Sequence, residues 1–232
     1  MSEGRVEALY NRLKERAVNF DFRPGERINE GTIARQLDAS RTPLREALNR
    51  LVAERLIECR PGRGFVCRAV DPETIFGLYG MRGVSETAAV RRACHRAEDA
   101  GIAALRDRLH ADGLTTAGLT IREVVERDEA FHLGIARLAG NSEMVRHLDR
   151  INERIRFIRW VDMGHRVGTT KGEHLEIMEA LEARDEDRAV AVLEIHVMRR
   201  MDQIVAAVRE GYSNIFVSDP EELFDRLVGG AE

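Results

Sequence analysis

Asp128, His132, His174 and His196 are the residues of this 232-residue chain whose types and spacing suggest chemistry. In "RDEAFHLGIARLAG" (127–140) the first two stand four apart, inside an apolar repeat of Ile121, Val124, Val125, Phe131, Ile135, Leu138 and Ala139. That repeat has a helical period and passes through positions 128 and 132, so both face the core, where side chains four apart are neighbours. An ionised carboxylate buried without partners costs several kcal/mol, so partners are expected. His174 shares a row with Ile177, Met178 and Leu181, and His196 with Ala189, Val192 and Leu193. Three inward imidazoles and one carboxylate, carried by three helices of a bundle, can converge on a divalent transition metal. Zinc is the leading choice, with nickel, iron and manganese as alternatives. The plainer alternative is that each histidine separately satisfies a hydrogen bond in the core. Four such residues in one pattern weigh against it. His95, His110, His147 and His165 show no comparable pattern.

A metal with open positions could activate water. The sequence, however, contains neither HExxH nor GxSxG, and Glu129 is expected to point roughly 100° around the helix from Asp128. No catalytic residue is assigned. A metal-dependent hydrolase is the weakest reading, and a purely structural metal is a stronger alternative.

A second set of residues suits an anion. "RTPLREALNRLVAERL" reads as a helix that begins near Ser40 or Thr42, with Pro43 tolerated in the first turn. Leu44, Ala47, Leu48 and Leu51 line its inner face, while Arg41, Thr42, Arg45 and Asn49 project outward. Before it, "GRVEALYNRLKERAVNF" repeats its apolar residues at 6, 9, 10, 13 and 17, and "NEGTIARQL" restarts a short helix behind a candidate N-cap, Asn29. After it, "LIECRPGRGFVCRA" reads as two short strands around a turn of Pro61, Gly62, Arg63 and Gly64. This is the element order of a winged helix-turn-helix, which lays its third helix in the major groove. Arg41 and Arg45 can then grip phosphates or guanine edges, and Arg63 can enter the minor groove from the wing.

Charge supports that division. Residues 1–70 hold 14 Arg and Lys against 10 Asp and Glu, whereas residues 71–232 hold 22 against 30. A basic module that meets an anion is joined to an acidic body. Beyond a natural linker at "AVDPET" (69–74) the periodicity predicts helices over 72–96, 98–112, 119–139, 142–163, 169–184 and 186–210. Gly140 suits a left-handed helix end, and Asn141 or Ser142 can cap the next helix. The expected fold is mainly α. A winged helix-turn-helix with a small β-hairpin wing (1–70) precedes an all-α bundle of six or seven helices (71–232), whose tail includes "DPEELFDRLV", a candidate extra helix. Hydrophobic residues make up 44% and charged residues 33%, the balance of a soluble folded protein. No run approaches the ~20 apolar residues of a membrane span. Cys59, Cys67 and Cys94 are odd in number without CxxC spacing, which favours a reducing cytoplasm.

"RPGERINEGTIARQLDASRTPLREALNRLVAERLIECRPGRGFV" resembles the DNA-binding domain of the GntR family of bacterial transcription regulators. The segments "PGERI", "SRTPLREAL" and "GRGFV" carry the likeness, and through them Ser40 and Gly64 join Arg41, Thr42, Arg45, Asn49 and Arg63 as candidate DNA contacts. The chain departs from the family at Asp38-Ala39, where Gly-Val is usual, and at Gly31, where a charged residue is often found. "RDEAFHLGIARLAGNSEM", "GEHLEIMEALEARDEDRA" and "LEIHV" resemble the FCD ligand-binding domain of the FadR subfamily. That resemblance implies a metal held by Asp128, His132, His174 and His196, a small organic acid that approaches it by a carboxylate, and Arg82 as partner of that carboxylate. It also implies a homodimer on a palindromic operator in double-stranded DNA, acting as a repressor released by its ligand.

Overall fold

In the computed structural model the described residues are 3–111, 118–164, 167–197 and 201–217. The chain divides into two compact units between Asp71 and Pro72.

The first unit contains α1 (Glu3–Val18), α2 (Glu30–Gln36), α3 (Arg41–Ala53), β1 (Ile57–Arg60) and β2 (Gly64–Cys67). Leu13, Leu44, Ala47, Leu48 and Leu51 are completely buried where α1 crosses α3. Asn29 caps α2 by accepting the Thr32 amide at 3.1 Å. The turn between α2 and α3 uses Asp38 at φ 46, a left-handed conformation that glycine adopts most easily and aspartate tolerates. This explains in backbone terms why glycine is usual there. β1 and β2 pair antiparallel, Ile57 opposite Cys67 and Arg60 opposite Gly64, so Gly64 opens the second strand rather than completing the turn. The "PGERI" segment lies along β2: Ile28 donates to the Phe65 carbonyl at 2.8 Å and Gly25 to that of Cys67 at 3.0 Å. This ties the wing to the segment that enters α2.

The second unit is helical: α4 (Pro72–Arg96), α5 (Asp99–Ala111), α6 (Ile121–Leu138), α7 (Ser142–Gly164), α8 (Val167–Glu182), α9 (Glu186–Val197) and α10 (Met201–Val217), the last belonging to this unit as far as Glu210. The expected single helix over 186–210 is described as two segments, α9 and α10, and α10 runs on to Val217; residues 198–200 lie outside the described set. So does the "DPEELFDRLV" segment (219–228). A reciprocal capping box of Thr120 and Glu123 starts α6. Gly140 at φ 67 ends the following turn, and Asn141 accepts the amides of Glu143 and Met144 at the start of α7. α6 and α7 are thereby a tight antiparallel pair, and α4 packs on both. Gly134 leaves room for Leu105, whose Cδ1 lies only 2.5 Å from where a β-carbon would stand, so α5 seats closely against α6.

The main core joins α4, α5, α6, α8 and α9 through Val90, Phe131, Ile135, Ile177, Leu181 and Leu193. Leu181 is fully buried there. Leu181→Ala is expected to cost about 2–5 kcal/mol in urea unfolding of the full chain; a loss within experimental error would show that α8 does not depend on this core.

Candidate metal centre and DNA-reading surface

The apolar stripes of three helices deliver four polar side chains to one point. Asp128, His132, His174 and His196 are 2–6% exposed, and one ligand atom from each lies within 4.8 Å of all the others. His132 Nε2 is 3.0 Å from His196 Nε2, which is 3.2 Å from His174 Nε2. Asp128 Oδ1 faces His174 Nε2 at 3.3 Å and His196 Nε2 at 3.9 Å. Phe131 packs against the His174 ring at 4.3 Å between centroids, which fixes its orientation.

The outward nitrogens show why this donor set fits a cation. His196 Nδ1 is 2.6 Å from Glu173 Oε2, which favours a proton on Nδ1 and leaves Nε2 as a lone pair. His132 Nδ1 lies 2.7 Å from Glu86 Oε2 in an oblique contact with the same effect. The inward nitrogens thus crowd lone pairs together beside a carboxylate. Hydrogen bonding among the rings cannot satisfy both short Nε2 contacts of His196, but a divalent ion with nitrogen and oxygen ligands can.

Burial alone would push the Asp128 carboxyl up, but the Arg159 guanidinium on its Oδ2 holds it well below its usual range. The same opposition operates at Glu86, where Arg82 and His132 outweigh burial and bring the carboxyl down to about 2. Burial lowers His132, with Glu86 and Asp128 opposing it. It also lowers His196, to about 4, against the Glu173 hydrogen bond. Neutral imidazoles beside an ionised carboxylate are the protonation states that metal ligation requires.

Several members of this centre were not apparent from sequence. Arg82 is buried as expected of a pocket residue, yet its guanidinium is committed to Glu86 at 2.6 Å and stands 3.8 Å from Asp128. Arg159 makes the close contact with Asp128 Oδ2 and also reaches Glu129 at 3.3 Å. Glu129, expected roughly 100° around the helix from Asp128, is 5% exposed and paired with Arg156 at 2.7 Å. Asp128 and Glu129 are neighbours on α6, and both meet arginines of α7. A signal for the α7 residues lies in their spacing, since the polar positions Asn152, Arg156 and Arg159 share one face. Asn152 itself is fully buried with neither amide atom hydrogen-bonded among the described residues.

In the first unit Ser40, Arg41, Thr42, Arg45 and Asn49 are all exposed on or just before α3, and Arg63 is exposed at the wing tip. Gly64 takes φ 73 beside it. Ser40 is the N-cap residue but its hydroxyl makes no capping bond. Arg45 is steadied by Glu30 at 3.6 Å and leans toward the Phe65 ring. Arg27, which the sequence did not single out, lines a groove with Arg41 and Arg45. No helix of the described residues is long and apolar enough to cross a membrane.

Comparison with known proteins agrees with both units. Residues 5–67 match the profile of bacterial regulatory proteins of the gntR family, and residues 78–200 match the FCD domain, a metal-binding type of domain. Over 208 residues the chain is 41% identical to the Nta operon transcriptional regulator of Aminobacter aminovorans, covering 88% of this chain and 97% of that one. It is 23% identical over 211 residues to the HTH-type transcriptional repressor RspR of Escherichia coli K12, covering 90% and 92%. The crystal structure of a GntR transcriptional regulator from Rhodococcus sp. RHA1 is similar with a TM-score of 0.71 at 26% identity, covering 88% of this chain and 99% of that one. The chain belongs to the GntR family, with an FCD domain following its DNA-binding domain, and is a transcriptional regulator rather than an enzyme.

Proposed function

We propose that this regulator is a repressor whose hold on its operator is controlled by a small carboxylic acid bound at a metal in the second unit. The observation that carries the reading is the convergence of Asp128, His132, His174 and His196, all buried, on a point that suits one ion. Zinc is the preferred occupant, with nickel, iron or manganese able to use the same donors. When bound, the ion supplies a Lewis-acidic position for a carboxylate oxygen. The protein's own residues set the rest. Arg159 holds Asp128 ionised, with Arg82 3.8 Å away, and Glu86 and Glu173 orient His132 and His196. Around the imidazoles, Arg82, Arg156 and Arg159 are matched by Glu86, Asp128 and Glu129, with Glu173 at the edge. A dication adds positive charge to this nearly balanced set, and an anionic ligand restores neutrality. Arg82 is the arginine proposed to meet the ligand's carboxylate, once it shares its guanidinium with Glu86.

Ser40, Arg41, Thr42, Arg45, Asn49, Arg63 and Gly64 form the proposed DNA contacts. A homodimer would set two such surfaces on a palindromic operator in the cytoplasm, since a two-fold protein matches a two-fold site. Ligand and operator affinities are then coupled reciprocally. Repression is the preferred direction because RspR, similar along most of its length, is a repressor. The deep burial of all four ligands favours one second reading, a metal that serves structure alone. An acid that shifts operator affinity of the metal-loaded protein selects the first reading; unfolding on metal removal with no response to any acid selects the second.

Three outcomes are expected. Arg45→Ala should weaken specific operator binding by about 1–3 kcal/mol in a fluorescence titration if it reads a base, and unchanged affinity removes it from the contact set. His174→Ala combined with His196→Ala should leave the purified protein without metal by elemental analysis; full occupancy would refute the ligand set. In the chelator-treated protein, His132 and His196 sit below their ordinary 6.5. The unfolded chain therefore takes up protons that the native state refuses as pH falls from 6.5 toward 4. Glu86, ordinarily 4.5 and here about 2, extends the loss to lower pH. The thermal midpoint should drop from pH 7 to pH 5, and a midpoint that rises over that interval contradicts the assignment.

A further inference from the structure

Glu129 is a buried carboxylate to which the metal-and-acid reading gives no role beyond charge balance. It follows Asp128 on α6, and Arg156 grips it from α7 with Nη2 at 2.7 Å and Nε at 3.1 Å on one oxygen, while Nε is 3.2 Å from the other. Arg159 Nη1 adds a contact at 3.3 Å. This is the fork by which a guanidinium takes the carboxylate of a ligand. The three arginines of the centre differ in access. Arg82 and Arg159 are enclosed, with side chains 4% and 5% exposed, whereas that of Arg156 keeps 25%. Arg159 touches both Asp128 and Glu129, so the metal ligand and the Arg156 fork lie on two sides of one side chain.

We propose that Glu129 is an internal carboxylate lodged in an anion subsite formed by Arg156 and Arg159, and that the effector is an acid with at least two carboxylates. One carboxylate goes to the metal, and the second takes the Nε and Nη2 edge of Arg156 from Glu129. Glu129 is not orphaned by the exchange because Arg159 still faces it. Its negative charge thus sets a threshold that a single carboxylate at the metal does not have to meet, and that a diacid meets by replacing the contact it breaks. The inference rests on the acid-at-the-metal reading and names the class of acid.

The test uses the zinc-loaded full chain, wild type and the variants Glu129→Gln and Arg156→Gln, titrated calorimetrically with succinate, glutarate and butyrate. Wild type should prefer the two diacids to butyrate. Glu129→Gln should tighten the diacids by about tenfold or more, equivalent to about 1.4 kcal/mol, with a clearly smaller change for butyrate. Arg156→Gln, at a partly exposed position, should abolish the diacid preference and keep butyrate binding. Equal effects on all three acids, or a diacid preference that survives Arg156→Gln, would show that the fork merely fastens α6 to α7, and the inference falls alone. No binding of any acid to any of the three proteins, with zinc retained, removes the inference together with the reading beneath it.

Discussion

One buried carboxylate organises the second unit. Asp128 shares a buried helix face with His132 and apolar residues, and a charge there is tolerable only if its two oxygens are answered separately. Oδ1 turns toward His174 and His196, and Oδ2 turns toward Arg159 with Arg82 behind it. The first oxygen is placed for an ion, and the second for the cations that keep the group ionised. This requirement fixes the neighbours. α4 must bring Arg82 and Glu86, α7 must bring Arg159, and α8 and α9 must each bring an imidazole to the same level. The tight α6–α7 turn at Gly140 and the close seating of Leu105 against Gly134 are what hold α6 steady enough for that.

The arrangement also resolves an apparent conflict between packing and chemistry. An imidazole nitrogen of His196 about 3 Å from those of both His132 and His174 would be poor packing in a core without a cation. The carboxylates behind two of the rings move the protons outward and leave the inner edges free. Burial lowers His132 and His196 and so keeps those two rings neutral at ordinary pH. The same low-dielectric surroundings that make stray charge expensive therefore make the donor set ready for a metal. The FCD match places the chain among proteins built on this type of domain, while the geometry explains how this particular sequence supplies it.

Much of this was legible in the sequence, and the reason is periodicity. The rows through 128 and 132, 174, and 196 were continuous with apolar residues, so a polar residue in such a row had to be buried. The same rule located the α3 core of Leu44, Ala47, Leu48 and Leu51, each with no exposure. Glu86, Arg156, Arg159 and Glu173 were not assigned, because long charged side chains reach their partners across helix pairs, and helix pairing is not written in one helix's period. Glu129 stands about 100° around α6 from Asp128, and the partners it meets there, Arg156 and Arg159, belong to α7. Over 186–210 the helical period predicted one element; the described residues give α9 as far as Val197 and α10 from Met201. In the first unit the left-handed residue Asp38 turned a departure from the family pattern into a local backbone matter.

X-ray absorption at the zinc edge, recorded on the metal-loaded full chain with and without added succinate, tests the central claim most directly. The account predicts a first shell of imidazole nitrogens and carboxylate oxygen at about 2.0–2.2 Å, with three imidazole scatterers retained and the oxygen contribution altered when succinate is present. Thiolate scattering, fewer than three imidazoles, or a spectrum indifferent to the acid would contradict it.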